Sequence, residues 1–139
     1  MPKGKGLWPA FWLGPEKRNV WPPEIDIVEY LGAEPRRVNM NIHYGTADKH
    51  QYKISHWDGS DYSQNYHTYA VQWSPQSIIW YIDGNERKQF EDVNNIPSQP
   101  MQLLATLAIG ASWINVPPDN TTPFPSYMDI DYIKVWQRK

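Results

Sequence analysis

The stretch Glu24-Ile25-Asp26-Ile27-Val28-Glu29 places three carboxylates among residues that are otherwise apolar and β-branched. β-branched residues favour strands, and turn residues delimit this one, with Trp21-Pro22-Pro23 before it and Gly32 just after it. The pattern is that of a buried strand, in which ionisable side chains are uncommon. Their presence indicates a functional role.

The spacing of the three acids predicts an irregularity in this strand. Side chains of a regular strand alternate between faces, so Glu24 and Asp26 would share one face and Glu29 would lie on the other. One extra residue, a β-bulge at Ile27-Val28, would bring all three onto a single face. Carboxylates grouped in this way are typical of catalysis on a glycosidic bond. The alternative is a Ca²⁺ site, because Ca²⁺ prefers oxygen ligands.

Length and charge restrict the class of protein. The 139 residues suffice for one domain with a hydrophobic core, which we take as a single catalytic domain over residues 1–139. A net charge of -2 provides no basic field, so nucleic acid is not an expected partner. The chain has no cysteine, which excludes disulfides and thiolate metal sites. No stretch has the length of a transmembrane helix, so no membrane partner is expected, and no signal peptide opens the chain.

The aromatic residues suggest where a ligand would bind. Eight Trp and nine Tyr accompany only three Phe, and rings with a polar edge suit half-hydrated surfaces such as the faces of sugars. Trp8 and Trp12, four residues apart, would share a face, and Trp8 is the leading candidate for a sugar-stacking platform. Trp12 belongs either to the cleft or to the core, and Trp113 is a second candidate platform. His43 would bind a carboxylate or a sugar hydroxyl, or else be a satisfied core histidine.

Proline and glycine divide the chain into short segments with no helical periodicity, which predicts an all-β sandwich. Asp83-Gly84-Asn85 is a hairpin turn, and Trp73, Trp80 and Trp136 should be core residues. The predicted strands are Leu7–Leu13, Glu24–Leu31, Val38–Tyr44, Gln51–His56, His67–Trp73, Ser77–Ile82, Glu86–Phe90, Met101–Ile109 and Met128–Gln137.

Several segments together resemble glycoside hydrolase family 16, the group of laminarinases, agarases and carrageenases. Besides the acid strand they are Gly6-Leu7-Trp8-Pro9-Ala10-Phe11-Trp12-Leu13, Asn41-Ile42-His43-Tyr44-Gly45, His67-Thr68-Tyr69-Ala70-Val71-Gln72-Trp73, Ile79-Trp80-Tyr81-Ile82-Asp83-Gly84 and Met128-Asp129-Ile130-Asp131-Tyr132-Ile133-Lys134-Val135-Trp136. The resemblance implies a concanavalin-like β-jelly roll of two curved antiparallel sheets with a cleft on the concave face. The bulge is that of the laminarinase-like branch.

The resemblance also implies roles for particular residues. Glu24 would be the nucleophile, Asp26 its helper and Glu29 the general acid/base. Catalysis of this kind needs no cofactor, but a structural Ca²⁺ with Asp131 among its ligands is implied. The parent enzyme would be secreted or extracellular. The chain resembles the C-terminal portion of the family's domain, which self-association, a complementing N-terminal fragment or a truncated reading frame would each explain.

The expected function is that of a retaining, endo-acting glycoside hydrolase, with a β-linked polysaccharide of the β-1,3-glucan (laminarin) type as its substrate. The first alternative is a carbohydrate-binding domain, or an inactive fragment of such an enzyme, that keeps the aromatic surface without turnover. The second is a structural domain whose open edges form an assembly interface.

Overall fold

The computed structural model describes residues 1–17, 19–110 and 116–137, and all regular secondary structure in these ranges is β. The strands are β1 (Leu7–Pro15), β2 (Glu24–Tyr30), β3 (Arg37–Thr46), β4 (Lys49–Lys53), β5 (His56–Asp58), β6 (Tyr69–Trp73), β7 (Ile78–Ile82), β8 (Asn85–Phe90) and β9 (Met101–Ile109). The predicted all-β class is confirmed.

Two antiparallel sheets form from these strands. The larger has the order β4-β3-β2-β1-β9, with β5 also paired to β3, and the smaller has the order β6-β7-β8. The acid strand β2 therefore lies at the centre of the larger sheet, hydrogen-bonded on both sides. A central strand is hydrogen-bonded along both edges, which fixes its register and makes it a rigid support for a site.

The predicted bulge is present in β2. Against β3, Asp26 pairs with Asn41 and Glu29 pairs with Asn39, so Ile27 and Val28 together oppose the one residue Met40. The pairing of β2 with β1 shifts at the same place. Two residues opposite one is the definition of a β-bulge, and it changes the parity of every side chain that follows.

The core lies between the two sheets and is built from apolar side chains on their facing sides. Ile25, Val28 and Ile42 of the larger sheet are fully buried, as are Ile78 and Trp80 of the smaller one. Alternation in both sheets directs these side chains inward and leaves the opposite face of the larger sheet for polar residues. The acids therefore stand on the outer face, backed by the core.

One hydrogen bond ties the bulge to the second sheet. The indole Nε1 of the buried Trp80 donates to the backbone carbonyl of Asp26 at 2.7 Å. A bulge disrupts the regular ladder, and a buried carbonyl that lacks a partner is costly. Trp80 thus satisfies the backbone at the bulge and confirms the expected core position of this tryptophan.

The hairpin between β7 and β8 turns at Asp83 and Gly84, as predicted. Both residues have positive φ, 51° and 74° respectively, and Ile82 pairs with Asn85 across the turn. Two central residues with positive φ are characteristic of a type I′ turn, whose twist matches that of the strands.

Two expectations about strands were wrong. The predicted strand Gln51–His56 is divided into β4 and β5, which both pair with β3. Residues 128–137 form no ladder with any strand in the described ranges, although their alternating apolar pattern suits one. A strand forms only where its backbone groups find hydrogen-bond partners on a neighbouring strand. The alternation of apolar residues is therefore not sufficient by itself. Trp136, expected in the core, is 80% exposed.

Within the described residues there is no helix long and apolar enough to cross a membrane.

We predict that Trp80→Phe lowers the free energy of unfolding by about 2 to 4 kcal/mol, because it leaves the Asp26 carbonyl unpaired and a cavity in the core. Urea denaturation of the 139-residue chain measures this. Trp136→Phe is the matched control and should change stability by less than about 0.5 kcal/mol, since that ring is exposed. Equal effects of the two substitutions would contradict the role given to Trp80.

Candidate active site

The three acids lie on one face of the larger sheet, each opposite a polar residue of β3. The pairs are Glu24 with His43, Asp26 with Asn41, and Glu29 with Asn39. Residues that pair directly across antiparallel strands share a face. The register therefore confirms the predicted grouping of the carboxylates.

Glu29 is held by donors on both neighbouring strands. The indole Nε1 of Trp8 donates to Oε1 at 3.0 Å, and the amide of Asn41 donates to Oε2 at 2.8 Å. The amide of Asn39 donates to the backbone carbonyl of Glu29 at 3.2 Å. Because both carboxylate oxygens have a partner, the side chain has one orientation, towards the open face.

Glu24 lies at the rim of the group and is oriented by a residue that precedes its own strand. Trp21 Nε1 donates to Oε2 of Glu24 at 3.0 Å, while Oε1 lies 3.7 Å from Nε2 of His43. Glu24 is half-buried and Trp21 is exposed. The carboxylate is therefore fixed by one indole on one side and faces an imidazole on the other.

Asp26 stands between the two glutamates and is almost completely buried, with 4% of its surface exposed. Its Oδ2 has no hydrogen-bond partner among the residues that the structure describes, and it lies 3.5 Å from Nε2 of His43. A buried carboxylate oxygen without a donor is unusual and points to a group held ready for function.

Burial and mutual repulsion change the acidity of both glutamates. Burial first, and then the charge of Asp26, raise the pKa of Glu24 to about 7, against the opposing effects of His43 and Trp21. The pKa of Glu29 is likewise raised to about 7 by burial and by Asp26, against the hydrogen bond from Trp8. Both glutamates therefore titrate near neutral pH, where the site can hold one carboxylate and one carboxylic acid.

His43 connects the acids to a group of aromatic side chains. Burial would lower the pKa of His43, but the neighbouring Asp26, Glu24 and Glu29 outweigh it and raise that pKa. Nδ1 of His43 lies 3.0 Å from Nε2 of His50, and the two rings stack with centroids 5.2 Å apart. Trp21 packs on His50 at 4.5 Å.

The structure brings most of the predicted binding residues to this face. Trp8 and His43 contact the acids, and Trp12 lies on the same face, where its indole donates to Thr106 Oγ1 at 3.3 Å. The proposed stacking of sugars on Trp8 and Trp12 stays a prediction. Trp113 lies outside the described residues.

The implied Ca²⁺ ligand Asp131 is not tested by the described residues. Asp131 is exposed, and in the described part of the chain the group of three metal-binding side chains with ligand atoms within 4.8 Å of one another is Glu24, Asp26 and His43. Ca²⁺ takes six to eight oxygen ligands. A Ca²⁺ site with Asp131 among its ligands therefore stays a prediction.

Sequence reasoning missed three residues of the site. The sequence places Trp21 only in a turn and assigns no role to His50 or Asn41. A signal for Asn41 was available, because Asn39, Asn41 and His43 alternate along β3 and must share the face of the acids. Trp21 and His50 reach the site through loop geometry and strand β4, for which the local sequence gives no comparable signal.

Two antiparallel sheets packed over one core agree with the expected β-jelly roll, and the carboxylates group on one face of the larger sheet. Comparison with known families agrees: the model of the glycosyl hydrolases family 16 matches residues 1–134. The chain belongs to glycosyl hydrolase family 16.

Individual relatives support the same assignment. A glucan endo-1,3-beta-glucosidase of Cryptopygus antarcticus is 28% identical over 98% of this chain and 58% of its own length. An endo-1,3-1,4-beta-glycanase of Rhizobium meliloti is 33% identical over 98% of this chain and 28% of its own length. The crystal structure of an endo-beta-1,3-glucanase from Pyrococcus furiosus superposes with a TM-score of 0.75 at 35% identity, covering 91% of this chain and 53% of that one. The chain thus covers between 28% and 58% of the length of these relatives.

We predict that the stability of the protein falls as pH rises from about 5 to about 8. Glu24 and Glu29 bind protons more tightly when folded, with pKa about 7, than when unfolded, with pKa 4.5. The folded state therefore holds more protons over this interval, and the free energy of unfolding should fall by about 2 to 3 kcal/mol for each of the two glutamates. The raised pKa of His43 acts in the same direction.

Urea denaturation at the two pH values measures this decrease, and Glu29→Gln should make it smaller by removing one of the titrating groups. Glu86→Gln, on the exposed surface of β8, is the matched control and should leave the decrease unchanged. A stability that rises over this interval would contradict the clustering of desolvated acids.

Proposed function

We propose that the chain carries the active site of a retaining, endo-acting glycoside hydrolase that cleaves β-1,3-glucan. The observation that carries the proposal is the grouping of Glu24, Asp26 and Glu29 on one open face, with the pKa of Glu29 raised to about 7. Retaining hydrolysis needs one ionised carboxylate and one protonated carboxylic acid on either side of the scissile bond.

In the first half of the reaction, Glu24 attacks the anomeric carbon while Glu29 donates its proton to the glycosidic oxygen. The bond between the anomeric carbon and the glycosidic oxygen breaks. The leaving sugar departs with that proton, and a covalent glycosyl ester forms on Glu24. Trp21 holds one oxygen of Glu24, so the other is the one that can attack. Donation from Trp8 and Asn41 holds Glu29 in a fixed position.

In the second half, Glu29 is ionised and takes a proton from water. The resulting hydroxide attacks the same carbon, the ester to Glu24 breaks, and Glu29 is protonated again for the next cycle. The pKa of Glu29 near neutrality suits both directions of transfer, because a group acts well as acid and base when its pKa is close to the working pH.

Asp26 and His43 tune the two glutamates. The charge of Asp26 raises the pKa of Glu29 and so favours its acid form, and His43 next to Glu24 favours the ionised form of that carboxylate. Asp26 also raises the pKa of Glu24 and His43 also lowers that of Glu29, so each partner shifts both glutamates in the same direction. Paired carboxylates divide their roles by differences in their environments, and here the imidazole of His43, 3.7 Å from Glu24, favours the ionised form of the nucleophile.

A neutral glucan fits the charges around the site. Two lysines near the first tryptophan segment are already paired, Lys3 with Asp61 at 2.9 Å and Lys5 with Asp119 at 2.6 Å. A sulfated galactan would require free basic groups to bind its sulfates. The name of the Cryptopygus antarcticus relative, a glucan endo-1,3-beta-glucosidase, supports a glucan as the substrate.

A carbohydrate-binding function without turnover is the second candidate. The observation that favours it is the exposed aromatic surface next to Glu24, formed by Trp21 and Tyr52, which would bind a sugar whether or not the acids react. Laminarin binding without release of reducing sugar by the 139-residue chain would favour it. The expected self-association or complementing fragment stays a prediction that accompanies either function.

We predict that Glu24→Gln reduces the release of reducing sugar from laminarin by at least about a thousandfold, because the amide cannot form the covalent ester. The substitution conserves shape, so near-ultraviolet circular dichroism should be unchanged. Glu86→Gln serves as the control and should retain full activity. Undiminished cleavage by the Glu24→Gln protein would overturn the assignment of the nucleophile.

A second prediction concerns pH dependence. Trp8→Phe removes a donor that favours the ionised form of Glu29, so the pKa of Glu29 should rise further above its ordinary value. The basic limb of the profile of kcat/KM against pH, which reports the free enzyme's acid, should move to higher pH by up to about one unit. Trp136→Phe should leave the profile in place. A basic limb that moves to lower pH would show that Trp8 does not act on the acid.

A further inference from the structure

Three side chains of the site also place possible metal-ligand atoms close together. Oε1 of Glu24 and Oδ2 of Asp26 lie 3.7 and 3.5 Å from Nε2 of His43, and the three residues have ligand atoms within 4.8 Å of one another. In a tetrahedral Zn²⁺ site with bonds of about 2.0 to 2.1 Å, neighbouring ligand atoms are about 3.3 Å apart. Small side-chain shifts would bring these three to that spacing.

The orphaned oxygen of Asp26 is an independent indication that something else binds here. Asp26 is 4% exposed, and its Oδ2 lacks a hydrogen-bond partner in the described part of the chain while it is directed at His43. At 3.5 Å the contact with His43 is too long for a good hydrogen bond. A cation held between the two residues would satisfy this buried oxygen.

His50 supplies the outer support that a metal-binding histidine needs. A ligating imidazole usually donates its other ring N–H to a neighbouring acceptor, which fixes its tautomer. Nδ1 of His43 lies 3.0 Å from Nε2 of His50, so His43 can donate there and leave the lone pair of its own Nε2 directed at the acids. In that tautomer a lone pair facing two carboxylates is repulsive, and a cation removes the repulsion.

We propose that Glu24, Asp26 and His43 bind a divalent transition-metal ion of the Zn²⁺ class, with His50 as the supporting acceptor. One imidazole and two carboxylates form the donor set that such ions accept, and three ligands leave a fourth position open on the sheet face. Ca²⁺ should bind far more weakly, because it requires more oxygen ligands. A bound metal ion would compete with a glycan for Glu24. Only this competition rests on the proposed function, and the metal site itself does not.

Isothermal titration of the 139-residue chain with ZnCl₂ in a non-coordinating buffer tests the site without reference to activity. We expect saturable binding of about one equivalent, and at least about tenfold weaker binding in His43→Gln. Glu24→Gln is a second, isosteric variant that should weaken binding similarly, and circular dichroism checks that both variants fold. His56→Gln is the matched control, because His56 Nε2 also faces a carboxylate, Asp58, at 3.7 Å but outside the site.

The outcomes separate this proposal from the proposed function. Binding that is lost in His43→Gln and Glu24→Gln but kept in His56→Gln supports the site. Absent saturable binding, or equal binding by all four proteins, overturns it, even if laminarin is hydrolysed. If the metal binds at the site but the metal-free chain hydrolyses no glycan, the result supports the metal site and counts against the hydrolase proposal. If both hold, Zn²⁺ should raise the apparent KM for laminarin and leave kcat unchanged.

Discussion

The β-bulge at Ile27-Val28 is the constraint on which the site depends. Without the extra residue, strand alternation would direct Glu29 into the apolar core, where an ionised carboxylate is strongly unfavourable. With it, Glu29 joins Glu24 and Asp26 on the outer face, while Ile27 and Val28 both contribute to the core. The local disruption of the ladder is compensated from the other sheet, where Trp80 donates to the carbonyl of Asp26. This hydrogen bond connects the acid strand of the site to the core.

Grouping the acids costs stability, and the surrounding residues limit that cost in a way that also serves chemistry. Donors from β1, β3 and the segment before β2 hold the two glutamates, yet burial and repulsion by Asp26 still raise the pKa of each to about 7. Complete compensation would return both carboxyls to their ordinary acidity and remove the acid form near neutral pH. Active sites commonly retain such unfavourable electrostatics because the reaction requires them.

The sequence allowed the bulge, the grouping of the acids and seven strand positions to be predicted, because alternation and turn residues are local signals. Residues 128–137 show the limit of that approach: their apolar alternation predicts a strand, but whether a strand forms depends on a partner elsewhere. Trp21 and His50 show a second limit. Their place beside Glu24 follows from the path of the chain between strands and from the register of β4, which no short motif encodes.

The bulge places three carboxylates in one desolvated group, and titration of the carboxyl groups by NMR tests this directly. With ¹³C-labelled glutamate, two of the six glutamate resonances should show apparent pKa values of about 7, and Glu24→Gln and Glu29→Gln should each remove one of them and lower the pKa of the other. Titration of all six resonances near 4.5, with no change on either substitution, would contradict the account.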